Sequence, residues 1–182
     1  MTQAERDLAY VQDVVREAEL STASPRSIYF LWAVIYLVGF SLYDFAPQHA
    51  GLFWMIAGPG GGIVSYWLGY RWATRTGVQS RRDAMRHLWH WIGMAAAIFM
   101  SVGLLYTGAI SSTTLAKIVL LMVAFGLYTA GIYLVRPYLW IGVALGLCFV
   151  GLLTIETLSW VVVGVVSGGA MFVAGLFSHR SA

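Results

Sequence analysis

Six stretches of this sequence contain no Asp, Glu, Lys or Arg, and each is close to the length that a helix needs to cross a bilayer. They cover residues 28–43, 52–70, 88–106, 118–135, 137–155 and 158–177. A transmembrane helix needs about 20 predominantly apolar residues, and the shortest stretch reaches that length with Ser27 and residues up to Phe45. The sequence therefore predicts an all-α polytopic membrane protein whose six transmembrane helices form three hairpins.

The composition supports this class. Only 10% of the residues are charged and 59% are hydrophobic, whereas a typical soluble domain has about 25% charged residues. Charged residues are also dense before residue 25, where no apolar stretch occurs. We therefore expect two parts, a cytoplasmic amphipathic helix within residues 1–24 and a six-helix transmembrane domain over residues 25–182.

The basic residues predict the orientation. Ten of the 11 Lys and Arg residues fall before the first stretch, between the second and third, between the fourth and fifth, or after the sixth; the exception is Lys117. Basic residues concentrate on the cytoplasmic side of membrane proteins. We therefore expect both termini in the cytoplasm of a bacterial-type plasma (inner) membrane. The same rule explains the net charge of +3 without a nucleic-acid partner.

The N-terminal segment has a helical stripe of apolar residues at spacings of four and three: Ala4, Leu8, Val11, Val15 and Ala18. This predicts an amphipathic helix over residues 3–20. Its side chains sum to −3, whereas the predicted loop 71–86 sums to +4. We expect the helix to dock on that loop, in the same subunit or a neighbour; the alternative is a solubilising extension with no fixed partner.

The most unusual transmembrane stretch contains the run Gly58-Pro59-Gly60-Gly61-Gly62. Proline removes a helix hydrogen bond and glycine lowers helix propensity, so we expect the second transmembrane helix to be interrupted there. Unsatisfied backbone groups are not tolerated against lipid, so the interruption should face protein or a cavity. Gly58, Pro59, Gly60, Gly61 and Gly62 are thus a candidate solute-binding site, with Ser65, Tyr66 and Ser167 as polar contacts.

A weak repeat relates the three hairpins. Each begins with Leu-Trp and ends at an arginine, and each returning helix has small residues near its centre. Pairs of small residues four apart let helices approach closely in lipid. A six-helix chain of this size seldom encloses a pathway alone, so we expect a homo-oligomer or a partnership with another membrane subunit.

Two further groups of polar residues lie near the predicted ends of the transmembrane helices. Asp44, Lys117 and Glu156 lie at the predicted outer ends; they either line an outer vestibule or cap helix ends. His87, His90 and His179 lie near the cytoplasmic side and could bind a metal or haem, or anchor helices at the interface. The second interpretation is favoured, and we expect no metal or cofactor.

Two functions are compatible with these features. The first is passage or binding of a small neutral or weakly charged solute at the glycine-interrupted helix. The alternative is a non-catalytic accessory or regulatory subunit of a membrane complex, docking through the N-terminal helix and the basic loop. The sequence contains no Gly-x-Ser-x-Gly, no phosphate-binding loop and no His-Glu-x-x-His, so an enzyme is not expected.

Overall fold

The structure is a computed structural model that describes residues 3, 6–8, 10–12, 25–76, 81–155 and 159–178. Within residues 25–178 the described part contains six helices and no strand. They are α1 (Arg26–Phe45), α2 (Pro47–Thr76), α3 (Arg81–Tyr106), α4 (Ser112–Tyr133), α5 (Pro137–Thr154) and α6 (Trp160–Phe177). The predicted all-α class is confirmed for the described residues, and most of each uncharged stretch falls on one helix.

Local sequence explains where several helices begin. Pro25 precedes α1, and prolines are the first residues of α2 and α5. Proline suits the first turn because its fixed φ matches the helix and its missing N–H has no partner there. At the start of α4, the Ser111 side chain accepts a hydrogen bond from the Thr114 backbone N–H, which is the usual serine N-cap.

Five of these helices, α1, α3, α4, α5 and α6, are long and apolar enough to cross a membrane, which identifies a membrane protein. The exception among the described helices is α2. It has 30 residues and is therefore about 45 Å long, but its glycines and proline lower its mean hydropathy. The structure thus supports five of the six predicted spans by length and composition.

Each helix packs on one or two others, so that the six helices form a row. The most extensive contacts join α1 to α6 and α4 to α5; α1 also packs on α2, α3 on α4, and α5 on α6. The order is therefore α2–α1–α6–α5–α4–α3. α2 and α3 are the two ends of the row and form no extensive contact with each other in the described part of the chain. We call the uncovered sides of α2 and α3 the seam.

Contacts between helix ends bring the arginine-rich ends together. Arg26 Nε, at the start of α1, donates to Gly175 O near the end of α6 at 3.1 Å. The rings of Tyr29 and Tyr138, near the starts of α1 and α5, have centroids 5.5 Å apart. We call this end of the helices, where the arginines lie, the basic end.

The core contains buried aliphatic residues of α4, α5 and α6 and a set of aromatic rings along α1. Phe40 of α1 lies between two tryptophans. Its ring centroid is 5.1 Å from that of Trp54 on α2 and 6.0 Å from that of Trp160 on α6. These rings make α1 the helix that holds α2 and α6 on either side of it.

The predicted interruption of the second helix is wrong. α2 is one helix from Pro47 to Thr76, with Pro59 inside it. Pro59 removes only one hydrogen bond, the one that Met55 O would accept, and its φ is compatible with a helix. Glycine costs about 1 kcal/mol of helix propensity, but an unsatisfied peptide group in lipid costs several, so the bilayer favours the continuous helix.

The predicted basic loop is also shorter than expected. Residues 71–76 continue α2 and residues 81–86 begin α3, so its arginines lie on helix ends. In the N-terminal segment, residues 3, 6–8 and 10–12 are helical, and the rest of the predicted amphipathic helix lies outside the described residues. Leu8 is 61% exposed and Val11 55%, so docking of this face on the same chain is not seen in the described part.

Candidate helix-packing face of α2

The five residues of the glycine run point in different directions around α2. Gly61 is buried against α1, where an added Cβ would lie 2.8 Å from Ile35 Cδ1 and 3.3 Å from Trp32 Cζ2. Gly58, Gly60 and Gly62 have open space where a Cβ would be. Gly61 therefore lets α1 and α2 approach, and the other three leave bare backbone on the surface of α2.

Two of these residues belong to a longer open stripe. Gly51, Gly58, Gly62 and Gly69 each have no heavy atom within 4 Å of an added Cβ. Their spacings of seven, four and seven residues place all four within about 40° of one another around the helix axis. We call these four residues the glycine face. It lies beside the side of α2 that packs on α1.

A different flank of α2 carries large side chains. Its exposed residues are Leu52, Ile56, Ile63, Trp67 and Tyr70. Large apolar side chains are what lipid-facing surfaces contain, whereas small residues mark helix–helix contacts in membranes. The two flanks of α2 thus differ in the way expected of a helix with lipid on one side and another helix on the other.

The α6 helix has the same residue pattern. Trp54, Gly58, Gly62 and Gly69 of α2 match Trp160, Gly164, Gly168 and Gly175 of α6, each pair 106 positions apart. Both helices therefore read Trp-x3-Gly-x3-Gly-x6-Gly.

On α6 these glycines are buried against another helix. An added Cβ at Gly164 would lie 2.9 Å from the Leu37 carbonyl oxygen, and one at Gly168 would lie 2.8 Å from the Ala33 carbonyl oxygen. An added Cβ at Gly175 would meet the side chains of Phe30 and Tyr29, which also belong to α1. On α6 the glycines of the pattern therefore pack closely against α1. On α2 the matching glycines contact no other helix of the described chain.

The α3 side of the seam is open as well. On α3, Gly93 and Gly103 have nothing within 4 Å of an added Cβ, and Met100 is 71% exposed. When the chain order of the helices is read cyclically, α3 follows α2 as α1 follows α6. The structure thus leaves unpaired the two helices that would form the contact equivalent to α6 with α1.

The polar residues predicted for a solute site are not brought together. The Ser65 hydroxyl accepts a hydrogen bond from Trp32 Nε1 at 2.9 Å, so it joins α2 to α1. Tyr66 is 68% exposed. Ser167 is fully buried on α6 and donates to Val163 O of its own helix at 2.7 Å. Because α1 lies between α2 and α6, Ser167 does not join the glycine face.

Two of the predicted outer residues interact with helix ends. Asp44 Oδ2 accepts from the Val161 N–H at the start of α6 at 2.8 Å, and Lys117 Nζ donates to Leu152 O near the end of α5 at 3.2 Å. These contacts support the capping interpretation. Glu156, the third residue, lies outside the described residues.

The histidines make separate local contacts. His87 Nδ1 bonds to the Asp83 carbonyl oxygen one turn earlier, and His90 Nδ1 pairs with the hydroxyl of Tyr133 on α4. His179 lies outside the described residues. No group of three or more metal-ligating side chains occurs among the residues that the structure describes.

The matching pattern was present in the sequence but was not recognised there. The prediction from sequence used the pair Gly58 and Gly62 and treated the run as a break, and so overlooked the regular positions of Gly51 and Gly69. A comparison of the second and sixth uncharged stretches at an offset of 106 residues would have shown the shared tryptophan and glycines.

Comparisons with protein-family models, with curated proteins and with solved structures give no match. The functional interpretation therefore depends on the chain's own geometry.

Proposed function

We propose that this protein is a non-catalytic subunit of a membrane assembly, joined to a second copy of itself along the glycine face of α2. The observation that carries the proposal is the shared pattern on α2 and α6. On α6 a Cβ added at Gly164 or Gly168 would lie 2.9 or 2.8 Å from a backbone oxygen of α1, whereas on α2 the matching glycines face empty space.

The partner helix in this proposal is α3 of the second copy. It is open on the side away from α4, and in the cyclic chain order it follows α2 as α1 follows α6. A two-fold arrangement gives two identical contacts, α2 of each copy with α3 of the other, and closed symmetric dimers are the commonest oligomers. In lipid such contacts depend on van der Waals packing between small residues, which the glycine face offers.

The proposal includes the orientation and the span count. α2 crosses the bilayer as the sixth span, because in the assembly its low hydropathy is shielded by a neighbouring helix. The basic end and both termini lie in the cytoplasm of a bacterial-type inner membrane, as the arginine distribution indicates. The N-terminal helix and the arginines at the ends of α2 and α3 then remain available to a further subunit.

A test replaces glycines on the two sides of α2. Leucine at Gly58 and Gly62 together should convert the dimer to a monomer in lipid nanodiscs, measured by mass photometry. The matched control is Gly60→Leu, because Gly60 also has open space around it but points about 160° away from the glycine face. Loss of assembly in the control, or its survival in the double variant, would contradict the proposal.

A second candidate function is binding or passage of a small neutral or weakly charged solute along the glycine face. One observation favours it: Pro59 leaves the Met55 carbonyl oxygen without its helix donor, and Met55 is 57% exposed. Gly58, Gly62, Ser65 and Tyr66 would then line a path at the seam. In this case the leucine variants should reduce solute flux into proteoliposomes without changing the oligomeric state.

A further inference from the structure

An open surface depression of about 640 Å³, which we call the cavity, lies at the basic end, where the start of α3 meets the end of α4. Its wall consists of Arg82, Met85, Arg86, Trp89 and His90 from the first turns of α3 and Tyr133 from the end of α4. The uncharged part of α3 begins at Leu88. The two arginines therefore lie just outside the apolar span, at the depth of lipid headgroups.

The polar side of the cavity is suited to an oxyanion. Arg82 and Arg86 are one helical turn apart and so lie on the same face of α3. Asp83 Oδ1 lies 3.7 Å from Arg86 Nη1 and offsets one positive charge. The net charge of Arg82, Asp83 and Arg86 together is therefore still positive. The positive end of the α3 helix dipole is at the same place. Guanidinium groups bind phosphate oxygens through paired hydrogen bonds, which a lysine cannot make.

The hydroxyl group of the cavity is held in place by a neighbouring ring. His90 Nδ1 pairs with the Tyr133 hydroxyl across the α3–α4 contact, and the edge of the His90 ring packs on Trp91, with centroids 4.9 Å apart. Because Tyr133 is the last residue of α4, this pair fixes the tyrosine hydroxyl at the wall of the cavity. When His90 Nδ1–H donates to this hydroxyl, the hydroxyl hydrogen is available to donate to a ligand oxygen bound between the arginines, as a third polar contact.

The rest of the wall is apolar and open. Trp89 is 64% exposed and Met85 40%. Tryptophan is enriched where the headgroups meet the hydrocarbon. A ligand that matches both sides has a phosphate at one end and hydrocarbon at the other. We propose that this cavity binds the phosphate group of an anionic phospholipid of the cytoplasmic leaflet.

The test measures lipid binding to the full chain by native mass spectrometry. Phosphatidylglycerol should bind at least about tenfold more tightly than phosphatidylcholine, because the cavity carries net positive charge. The double variant Arg82→Gln/Arg86→Gln should lose at least about fivefold of the phosphatidylglycerol affinity, and Tyr133→Phe about twofold. The matched control Arg71→Gln/Arg75→Gln removes the same charge from the end of α2 and should change the affinity less than about twofold.

Three outcomes would overturn the proposal. Equal losses in the two arginine double variants would show general attraction to the basic end rather than a site. Equal affinity for phosphatidylglycerol and phosphatidylcholine would show that the positive charge of the cavity does not select an anionic lipid. Displacement of the lipid by inorganic phosphate, at constant ionic strength, would assign the arginines to a soluble phosphate compound. The oligomeric state is read from the same spectra, so failure of this proposal is distinguishable from failure of the proposed assembly.

Discussion

Asp44, near the end of α1, accepts a hydrogen bond from the backbone N–H of Val161, in the first turn of α6, at 2.8 Å. The first N–H groups of a helix have no partner within the helix. Ser159, the residue before α6, makes no capping hydrogen bond through its own side chain. A residue 117 positions earlier thus caps α6 and fixes the outer ends of α1 and α6 together.

We expect Asp44→Ala to destabilise the protein by about 1 kcal/mol, the usual cost of removing an N-cap acceptor. Asp44→Asn keeps an acceptor oxygen and should lose less than half of that. The measurement is unfolding of the purified protein in mixed micelles with increasing denaturing detergent. If asparagine were as harmful as alanine, the negative charge rather than the cap would be the important property.

The contact of α6 with α1 predicts a sharp difference between two neighbouring glycines. A Cβ at Gly168 would lie 2.8 Å from the Ala33 carbonyl oxygen, whereas one at Gly169 would meet nothing within 4 Å. Gly168→Val should therefore destabilise the chain by about 1–3 kcal/mol through overpacking. Gly169→Val should have less than a third of that effect in the same unfolding assay. Similar losses at both positions would mean that α1 does not lie where the structure places it.

Hydropathy predicted the helices well because it is a local property. Each uncharged stretch becomes a helix whatever surrounds it, since lipid offers the backbone no other hydrogen-bond partners. The same fact explains the wrong prediction at Gly58–Gly62. Local propensity suggested a break, but the cost of exposed peptide groups in lipid exceeds the cost of glycine and proline in a helix.

The arrangement of the helices could not be predicted in this way. Whether Gly61 faces α1 and Gly62 faces open space depends on the rotation of α2, which long-range packing decides. The position of Ser167 illustrates the limit. From sequence it was a polar residue at the right depth to join the glycine run, but α1 separates the two helices, and the Ser167 hydroxyl bonds within α6.

The hydrogen bond from Trp32 Nε1 to Ser65 Oγ, 2.9 Å long, separates the two candidate functions. Ser65→Ala leaves the indole N–H without this acceptor and should cost about 0.6 kcal/mol, the average for such bonds between membrane helices. If Ser65 only joins α2 to α1, solute flux into proteoliposomes should be unchanged. A drop in flux for Ser65→Ala, restored by Ser65→Thr, would favour the solute function. The readout is stopped-flow swelling with a panel of small neutral solutes.

Disulfide formation across the seam tests which helix covers the glycine face. Two differently tagged copies are co-expressed, one with Gly62→Cys on α2 and the other with Ala96→Cys on α3, both with Cys148→Ser. Gly62 and Ala96 lie near the middle of their helices, and Ala96 is exposed. We expect oxidation to join the two tags in one band on a non-reducing gel, because α2 of one copy packs on α3 of the other.

Two controls decide the interpretation of that band. Moving the first cysteine to Gly60, which also lies in open space but on another side of α2, should reduce the cross-linked fraction at least about fivefold, because two Cα atoms more than about 7 Å apart cannot be bridged. A single chain that carries both Gly62→Cys and Ala96→Cys reports closure of the seam within one copy. If oxidation joined the two helices only within that chain, and never between tagged copies, the seam would close internally and the glycine face would not be an interface between subunits.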